Sequence, residues 1–256
     1  MVMKGTSGSP GSITAFFPCY NDGDCLREMI PQAVECLGRI TSDFEVIVVD
    51  DGSGEDTRAV LDTLESQYAC LRVERHPRNL GYGAALQTGF RKASKDWVFY
   101  TDGDGQYDVR EFERLWSLAG QSADVIVGYK TQRADTWLRR VIGKIYNVFV
   151  RILFHLKVKD VDCDFRLLRS RVLRNISLTA SSGAICVDLM SQIQDRGVTI
   201  LETPVNHYPR KYGKSHFFRV LPVLRTGLDL LSLCFRHLRR QPRSFSHVRH
   251  EPGDQP

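Results

Sequence analysis

Phe44-Glu45-Val46-Ile47-Val48-Val49 is the stretch that most restricts what this chain can fold into. A run this apolar and this rich in β-branched residues reads as a strand covered on both faces. Such a strand needs helices above and below it. The flanking sequence supplies them: Cys25–Ile40 carries Leu26, Met29, Ile30, Val34 and Leu37 at helical spacing, and Glu55–Gln67 follows the strand as a second helix. Ser12–Phe17, Leu71–Glu74, Trp97–Thr101 and Asp124–Gly128 read as further strands, separated by helices over Asn79–Ser94 and Val109–Leu118. Strand and helix alternate over short links. The expected class is therefore α/β, with right-handed crossovers and a mostly parallel central sheet flanked by helices.

In open sheets of this kind, ligands bind outside the carboxyl ends of the strands. Three strands end there in polar, flexible sequence: Pro18-Cys19-Tyr20-Asn21-Asp22, Asp50-Asp51-Gly52-Ser53 and Asp102-Gly103-Asp104. Asp102 and Asp104 stand two residues apart and project to one side of an extended segment. Gly103 and Gly105 permit close backbone approach, and Gln106 adds a neutral oxygen. Hard oxygen ligands of this kind suit Mg²⁺ or Mn²⁺ held jointly with substrate phosphates. Taken alone, Asp-Gly is also a common turn pair. A carboxylate at Asp51 can accept from a base N–H or a ribose hydroxyl. Asn79, Gly81 and Gly83 do not complete a dinucleotide GxGxxG, and no P-loop is present, which disfavours a Rossmann dehydrogenase.

The second half reads differently. Thr136–Leu156 is a long helical stretch, apolar at Trp137, Leu138, Val141, Ile142, Ile145, Phe149, Ile152 and Leu153 and basic between them. Asp160-Val161-Asp162-Cys163-Asp164-Phe165-Arg166 reads as a charged turn into Leu167-Leu168. A short helix, a helix over Ala184–Gly197 and a strand over Val198–Leu201 come next, and Thr203–Tyr208 is extended, with Pro204 favouring an edge. Pro209–His216 is a basic loop, and Phe217–Arg240 is amphipathic and basic. The expected layout is a disordered 1–12, one catalytic domain over 13–216, a basic amphipathic helical segment over 217–240 and a disordered tail over 241–256.

Across 256 residues the formal net charge is only +5, which argues against a nucleic-acid partner. Seven scattered cysteines with no CxxC pair argue against zinc and for a reducing, cytoplasmic compartment. Met1–Ser12 lacks the apolar core of a signal peptide, and no uninterrupted apolar run reaches the roughly 18–20 residues that span a bilayer. Arginines beside leucines in Phe217–Arg240 favour an anionic membrane surface. The expected location is cytoplasmic and peripheral on the inner face of the membrane, alone, as a homodimer or with a membrane-protein partner.

Five motifs occur in order: Pro18-x-Tyr20-Asn21-Asp22, Val49-Asp50-Asp51-Gly52-Ser53, Asn79-x-Gly81-x-Gly83-x-Ala85, Asp102-x-Asp104-x-Gln106 and Arg210-x-x-Gly213-x-Ser215. As an ordered set, over about Ile13–Arg240, they resemble glycosyltransferase family 2, and within it the dolichol-phosphate mannose synthase-like or polyprenyl-phosphate glycosyltransferases. The resemblance implies a GT-A fold and an inverting transfer. It implies that Pro18, Tyr20, Asp22, Val49, Asp51, Asp102, Gly103, Lys130 and Ser215 hold the nucleotide sugar, and that Asp102, Asp104 and Gln106 hold Mg²⁺ or Mn²⁺. It also implies that Arg166 and Arg210 surround the acceptor phosphate or the donor diphosphate. The chain departs from the family pattern at Asp22, Lys130, Asp164 and His216.

The expected function is metal-dependent transfer of a hexose from GDP-mannose or a UDP-sugar to a polyprenyl or dolichyl phosphate. Such an acceptor is already anionic and needs no strong base. A hydroxyl acceptor would need a carboxylate, for which Asp160, Asp162 and Asp188 are candidates. The set assigned to catalysis is Asp104, Asp162, Arg166 and Arg210. Alternatives are a family 2 enzyme acting on a glycan or another lipid, a non-catalytic nucleotide-sugar or membrane-binding module, and a nucleotidyltransferase.

Overall fold

The computed structural model describes residues 11–119, 123–133, 137–212, 220–239 and 248–250. Ser215, residues 1–10 and all of the tail except 248–250 lie outside them. The first half alternates as the hydrophobic pattern expects: β1 (Ile13–Cys19), α1 (Gly23–Ile40), β2 (Phe44–Asp50), α2 (Glu55–Gln67), β3 (Leu71–Arg75), α3 (Tyr82–Lys92) and β4 (Trp97–Thr101). The expected helix over Val109–Leu118 divides into a 3-10 turn at Val109–Glu111 and α4 (Phe112–Leu118). Then come β5 (Val125–Arg133), α5 (Trp137–Leu153), β6 (Phe165–Arg169), α6 (Ser170–Leu173), α7 (Ile185–Gln194), β7 (Ile200–His207), α8 (Val220–Arg239) and β8 (Val248–His250).

The strands form one sheet in the order β3-β2-β1-β4-β6-β5-β7-β8. Among the described residues only β6 runs against its neighbours, β4 and β5; the other pairs are parallel. The sequence reading missed β6 because Arg166 interrupts its apolar run. That arginine is 1% exposed, opposite Tyr100 of β4 and Val127 of β5. Pro204 lies within β7 opposite Tyr129, beyond the β8 register that ends at Glu202, so its missing N–H costs no ladder bond to β8. Val248–His250 adds a strand where the sequence suggested only a disordered tail.

Successive strand residues serve opposite cores, as a period of two requires. Phe17, Val48 and Phe99 pack with Leu26, Ile30, Leu61 and Phe112 beneath α1, α2 and α4. Phe16, Ile47, Val49 and Tyr100 pack with Leu86, Ile185 and Leu189 beneath α3 and α7. Leu233 joins this second core from α8. The outer faces of α5 and α8 are uncovered: Trp137, Ile145, Ile152, Leu224, Leu228, Leu231 and Phe235 are exposed. Among the described residues no helix is long and apolar enough to cross a membrane.

Candidate active site

The carboxyl ends of β1, β2 and β4 meet because the strands are adjacent and parallel. Gly103, just past β4, donates its N–H to the Pro18 carbonyl at 3.2 Å. A Cβ there would stand 2.7 Å from that oxygen, so only glycine lets the two strand ends close. Asn21 of the first turn ties the second: its N–H donates to Ser53 Oγ, and its Oδ1 accepts from Gly54 N–H, both at 2.9 Å. Tyr20 is half-buried in the first turn.

Asp22, Asp102 and Asp104 gather on this edge. Arg210, in the segment after β7, bridges two of them: Nη1 donates to Asp22 Oδ1 at 2.8 Å and Nη2 to Asp104 Oδ2 at 2.7 Å. Asp104 Oδ1 accepts from Gln106 N–H, a local turn that fixes the carboxylate. Asp102 Oδ1 accepts from the Tyr82 hydroxyl at 2.7 Å. Burial pushes the Asp22 carboxyl up to about 6; Arg210 opposes the rise and Asp104 adds to it. Asp102 is held well above its ordinary value by burial, then by the charges of Asp164 and Asp104.

A second row of groups enters from the loop before β6. Because β6 is antiparallel, its start lies at the edge where β4 ends, with Thr101 opposite Phe165. Asn147 of α5 secures this loop through Lys159 O and Val161 N–H. Lys130 Nζ donates to the Asp162 carbonyl at 2.6 Å and stands 3.8 Å from Asp160 Oδ2. Burial raises the Asp162 carboxyl to about 7 against the pull of Lys130. Asp164 Oδ1 accepts from Cys186 Sγ at 3.1 Å and the Tyr100 hydroxyl at 3.5 Å. Six carboxyl groups (Asp22, Asp102, Asp104, Asp160, Asp162 and Asp164) thus face three cations, Lys130, Arg166 and Arg210.

Several residues expected at the ligand serve the protein itself. Asp51 is 3% exposed, and both its oxygens are engaged: Oδ1 by His76 Nδ1 at 2.7 Å and Leu80 N–H at 2.8 Å, Oδ2 by Gly81 N–H at 2.9 Å. The carboxylate can only accept, so His76 Nδ1 carries the proton. Val49 packs wholly into the core. Arg166 turns inward, with Nε on the Cys163 carbonyl at 2.9 Å, Nη2 on the Val161 carbonyl and its plane over the Tyr100 ring. Gln106 donates its side-chain amide to Tyr208 O at 3.2 Å. Asp188 accepts from Thr179 N–H and the Gln192 amide within its own neighbourhood.

Sequence reasoning missed Tyr82, His76 and Asp229. Asp229 Oδ2 accepts from Ser181 N–H, Ser182 N–H and Ser182 Oγ, which docks α8 on the loop that packs against α3. Its signal was present as the one acid in an otherwise basic and apolar helix. Tyr82 and His76 had no comparable local signal.

The fold is shared with solved structures. The glucosyl-3-phosphoglycerate synthase of Mycobacterium tuberculosis, in complex with Mn²⁺, UDP and phosphoglyceric acid, superposes with a TM-score of 0.69 at 17% identity, over 90% of this chain and 80% of that one. A Pyrobaculum calidifontis mannosyltransferase in complex with GDP-Man and Mn²⁺ superposes at 0.61 and 16% identity, over 88% and 65%. The sheet and its flanking helices have the GT-A fold of these structures. The chain belongs to glycosyl transferase family 2, whose model matches residues 14–177. Curated relatives include the undecaprenyl-phosphate 4-deoxy-4-formamido-L-arabinose transferases of Serratia proteamaculans, 25% identical over 86% of this chain, and Pseudomonas fluorescens, 27% identical over 80%. The alignments span 67% and 60% of those two relatives.

Proposed function

We propose that this family 2 glycosyltransferase moves a glycosyl group from a nucleotide sugar to the phosphate of a polyprenyl lipid, with inversion, at the cytoplasmic face of a membrane. The observation that carries the reading is Arg210 spanning Asp22 and Asp104: a cation and two carboxylates set at the strand edge where a diphosphate would lie. The names of the curated relatives support the lipid acceptor. Their sugar is a pentose derivative, so the donor class is widened beyond the hexose expected from sequence.

The residues fit a divalent cation. Carboxyl groups outnumber cations at the edge, and Asp102 and Asp104 offer hard oxygens. Among the described residues no three acidic, histidine or cysteine side chains form a ready-made cation cage. That suits an ion shared with substrate phosphates rather than one fully enclosed by protein. Asp102 and Asp104, with Gln106 beside them, would hold Mg²⁺ or Mn²⁺, whose chemistry when bound is to neutralise the departing diphosphate.

Pro18, Tyr20, Asp22 and Gly103 form the wall for the nucleotide, and Asp51 contributes by holding the loop at residues 76–81. Arg210 and Lys130 orient the anionic groups, and Arg166 fixes the loop carrying Asp162 and Asp164. A lipid-phosphate oxygen attacks the anomeric carbon, the bond from that carbon to the diphosphate oxygen breaks, and the nucleoside diphosphate leaves. The attacking oxygen is already ionised, so no proton has to be removed. Ser215 belongs to this site by resemblance. The uncovered leucines of α8, beside Arg225 and Arg239, support placement on an anionic membrane.

A hydroxyl acceptor is the second reading. Asp162 favours it, since a carboxyl near 7 can act as a base at neutral pH. The test offers UDP- and GDP-sugars with Mn²⁺ to a short polyprenyl phosphate and, separately, to its dephosphorylated alcohol. Glycolipid from the phosphate alone, abolished in Asp104→Asn and retained in Asp162→Asn, is expected. Product from the alcohol, lost in Asp162→Asn, would replace the first reading with the second.

A further inference from the structure

The segment Tyr208–Tyr212 lies across the acidic edge and is fastened at both ends. At one end Tyr208 exchanges hydrogen bonds with Gln106: Tyr208 N–H to Gln106 O at 2.8 Å, and Gln106 Nε2 to Tyr208 O at 3.2 Å. In the middle Arg210 reaches down to Asp22 and Asp104. At the other end both oxygens of Glu28, on α1, are taken. Oε2 accepts from Lys211 Nζ at 2.6 Å and Oε1 from the Tyr212 hydroxyl at 2.8 Å. Two consecutive residues of the segment are therefore held by one carboxylate outside the acidic edge.

We propose that Glu28 is a positioning residue: it latches this segment to α1, keeps Arg210 over Asp104, and sets how fast a nucleotide enters and leaves. The assignment rests on the reading that Asp22, Asp102 and Asp104 receive a nucleotide diphosphate. Arg210 supports it from within the site. Its Nε is buried with no hydrogen-bond partner among the described residues, and Nη1 and Nη2 give the carboxylates one N–H each, so the guanidinium keeps donors for a ligand oxygen. A guanidinium so placed obstructs the edge when the site is empty and clamps an anion when it is filled. Release of the segment is then required in each cycle. The latch suits that task because it is exposed: Glu28 and Lys211 side chains are 40% and 65% accessible. Exposed ion pairs are weak, so the latch opens readily, whereas a buried pair would hold the segment shut.

The test compares wild type with Glu28→Ala, Glu28→Gln and Tyr212→Phe. Amide hydrogen exchange over residues 206–212 is measured without nucleotide. Dissociation of UDP and of GDP is measured by stopped flow with Mn²⁺ present. In Glu28→Ala, exchange and nucleotide dissociation both rise roughly three- to tenfold, the scale of losing one exposed ion pair and one hydrogen bond. Global melting stays unchanged, KM rises and kcat does not fall. Glu28→Gln, which still accepts from Tyr212, falls between Glu28→Ala and wild type. Unchanged exchange in Glu28→Ala overturns the latch. Raised exchange with unchanged dissociation overturns its part in the reaction. Failure of wild type to bind either nucleotide overturns the functional reading and this assignment with it, and is recognised separately because the exchange arm contains no nucleotide.

Discussion

Replacing Asp51 with alanine removes an acceptor that three donors share. His76 Nδ1, Leu80 N–H and Gly81 N–H approach its two oxygens at 2.7, 2.8 and 2.9 Å. A hydrogen bond to a charged group contributes about 1.5–3 kcal/mol, and Leu80 and Gly81 are near enough to solvent to recover part of that from water. The net loss is therefore about 4 kcal/mol. At about 2–4 °C per kcal/mol for a domain of this size, melting falls by roughly 8–16 °C. Asp51→Asn keeps an oxygen for some of the donors but turns an NH₂ toward another, and loses roughly half as much. Thermal unfolding followed by circular dichroism reads both. A melting point for Asp51→Ala within about 2 °C of wild type, with nucleotide binding abolished, would refute the scaffold role and restore the direct nucleotide contact expected from sequence.

Gly83→Ala brings a Cβ to 2.4 Å from the Ala180 carbonyl, a backbone atom that must shift; overpacking of this kind costs about 1–3 kcal/mol, read as a lower urea midpoint. Asp162 ionises near 7 in the folded chain and near its ordinary 3.8 when unfolded. Between those values the native state binds a proton the unfolded state has released, so wild-type stability falls by about 2–4 kcal/mol as pH rises from 4 to 7, and stays reduced above it. In Asp162→Asn this share of the slope disappears, while the raised Asp22 and Asp102 keep theirs, and urea midpoints at pH 5 and 8 show the difference; parallel profiles for the two proteins would reject the burial argument. Leu228→Glu combined with Leu231→Glu lowers binding to vesicles containing phosphatidylglycerol at least about tenfold in a sedimentation assay, with melting unchanged, because these side chains touch no core.

The parallel half of the sheet was legible from sequence because β1, β2 and β4 are buried on both faces and their apolar runs are continuous. The Asp102–Asp104 turn was legible because chemistry and spacing coincide within three residues. What escaped depends on partners far apart in the chain. Arg166 reads as part of a charged turn, and by resemblance as a phosphate ligand, until the carbonyls of Val161 and Cys163 are folded around it. Asp51 reads as a ligand group until the loop at 76–81, about 25–30 residues on, closes over it. Glu28 looks like any acid on a helix, and its partners lie 183 and 184 residues downstream.

The single reversed strand has a consequence for how such a chain can change. Strands β1, β2 and β4 deliver their ends to the acidic edge, whereas β6 delivers its beginning there. One half of the sheet thus supplies Asp22, Asp102 and Asp104, and the connection from α5 into β6 supplies Asp160, Asp162 and Asp164 from the other side. The two sets share no segment of chain. Residues 154–164 nevertheless stay tied to the rest of the fold, because Phe154, Val158, Val161 and Cys163 are buried in its cores. A change in that connection is therefore felt across the sheet, since Asp164 raises the Asp102 carboxyl and accepts from the Tyr100 hydroxyl of β4.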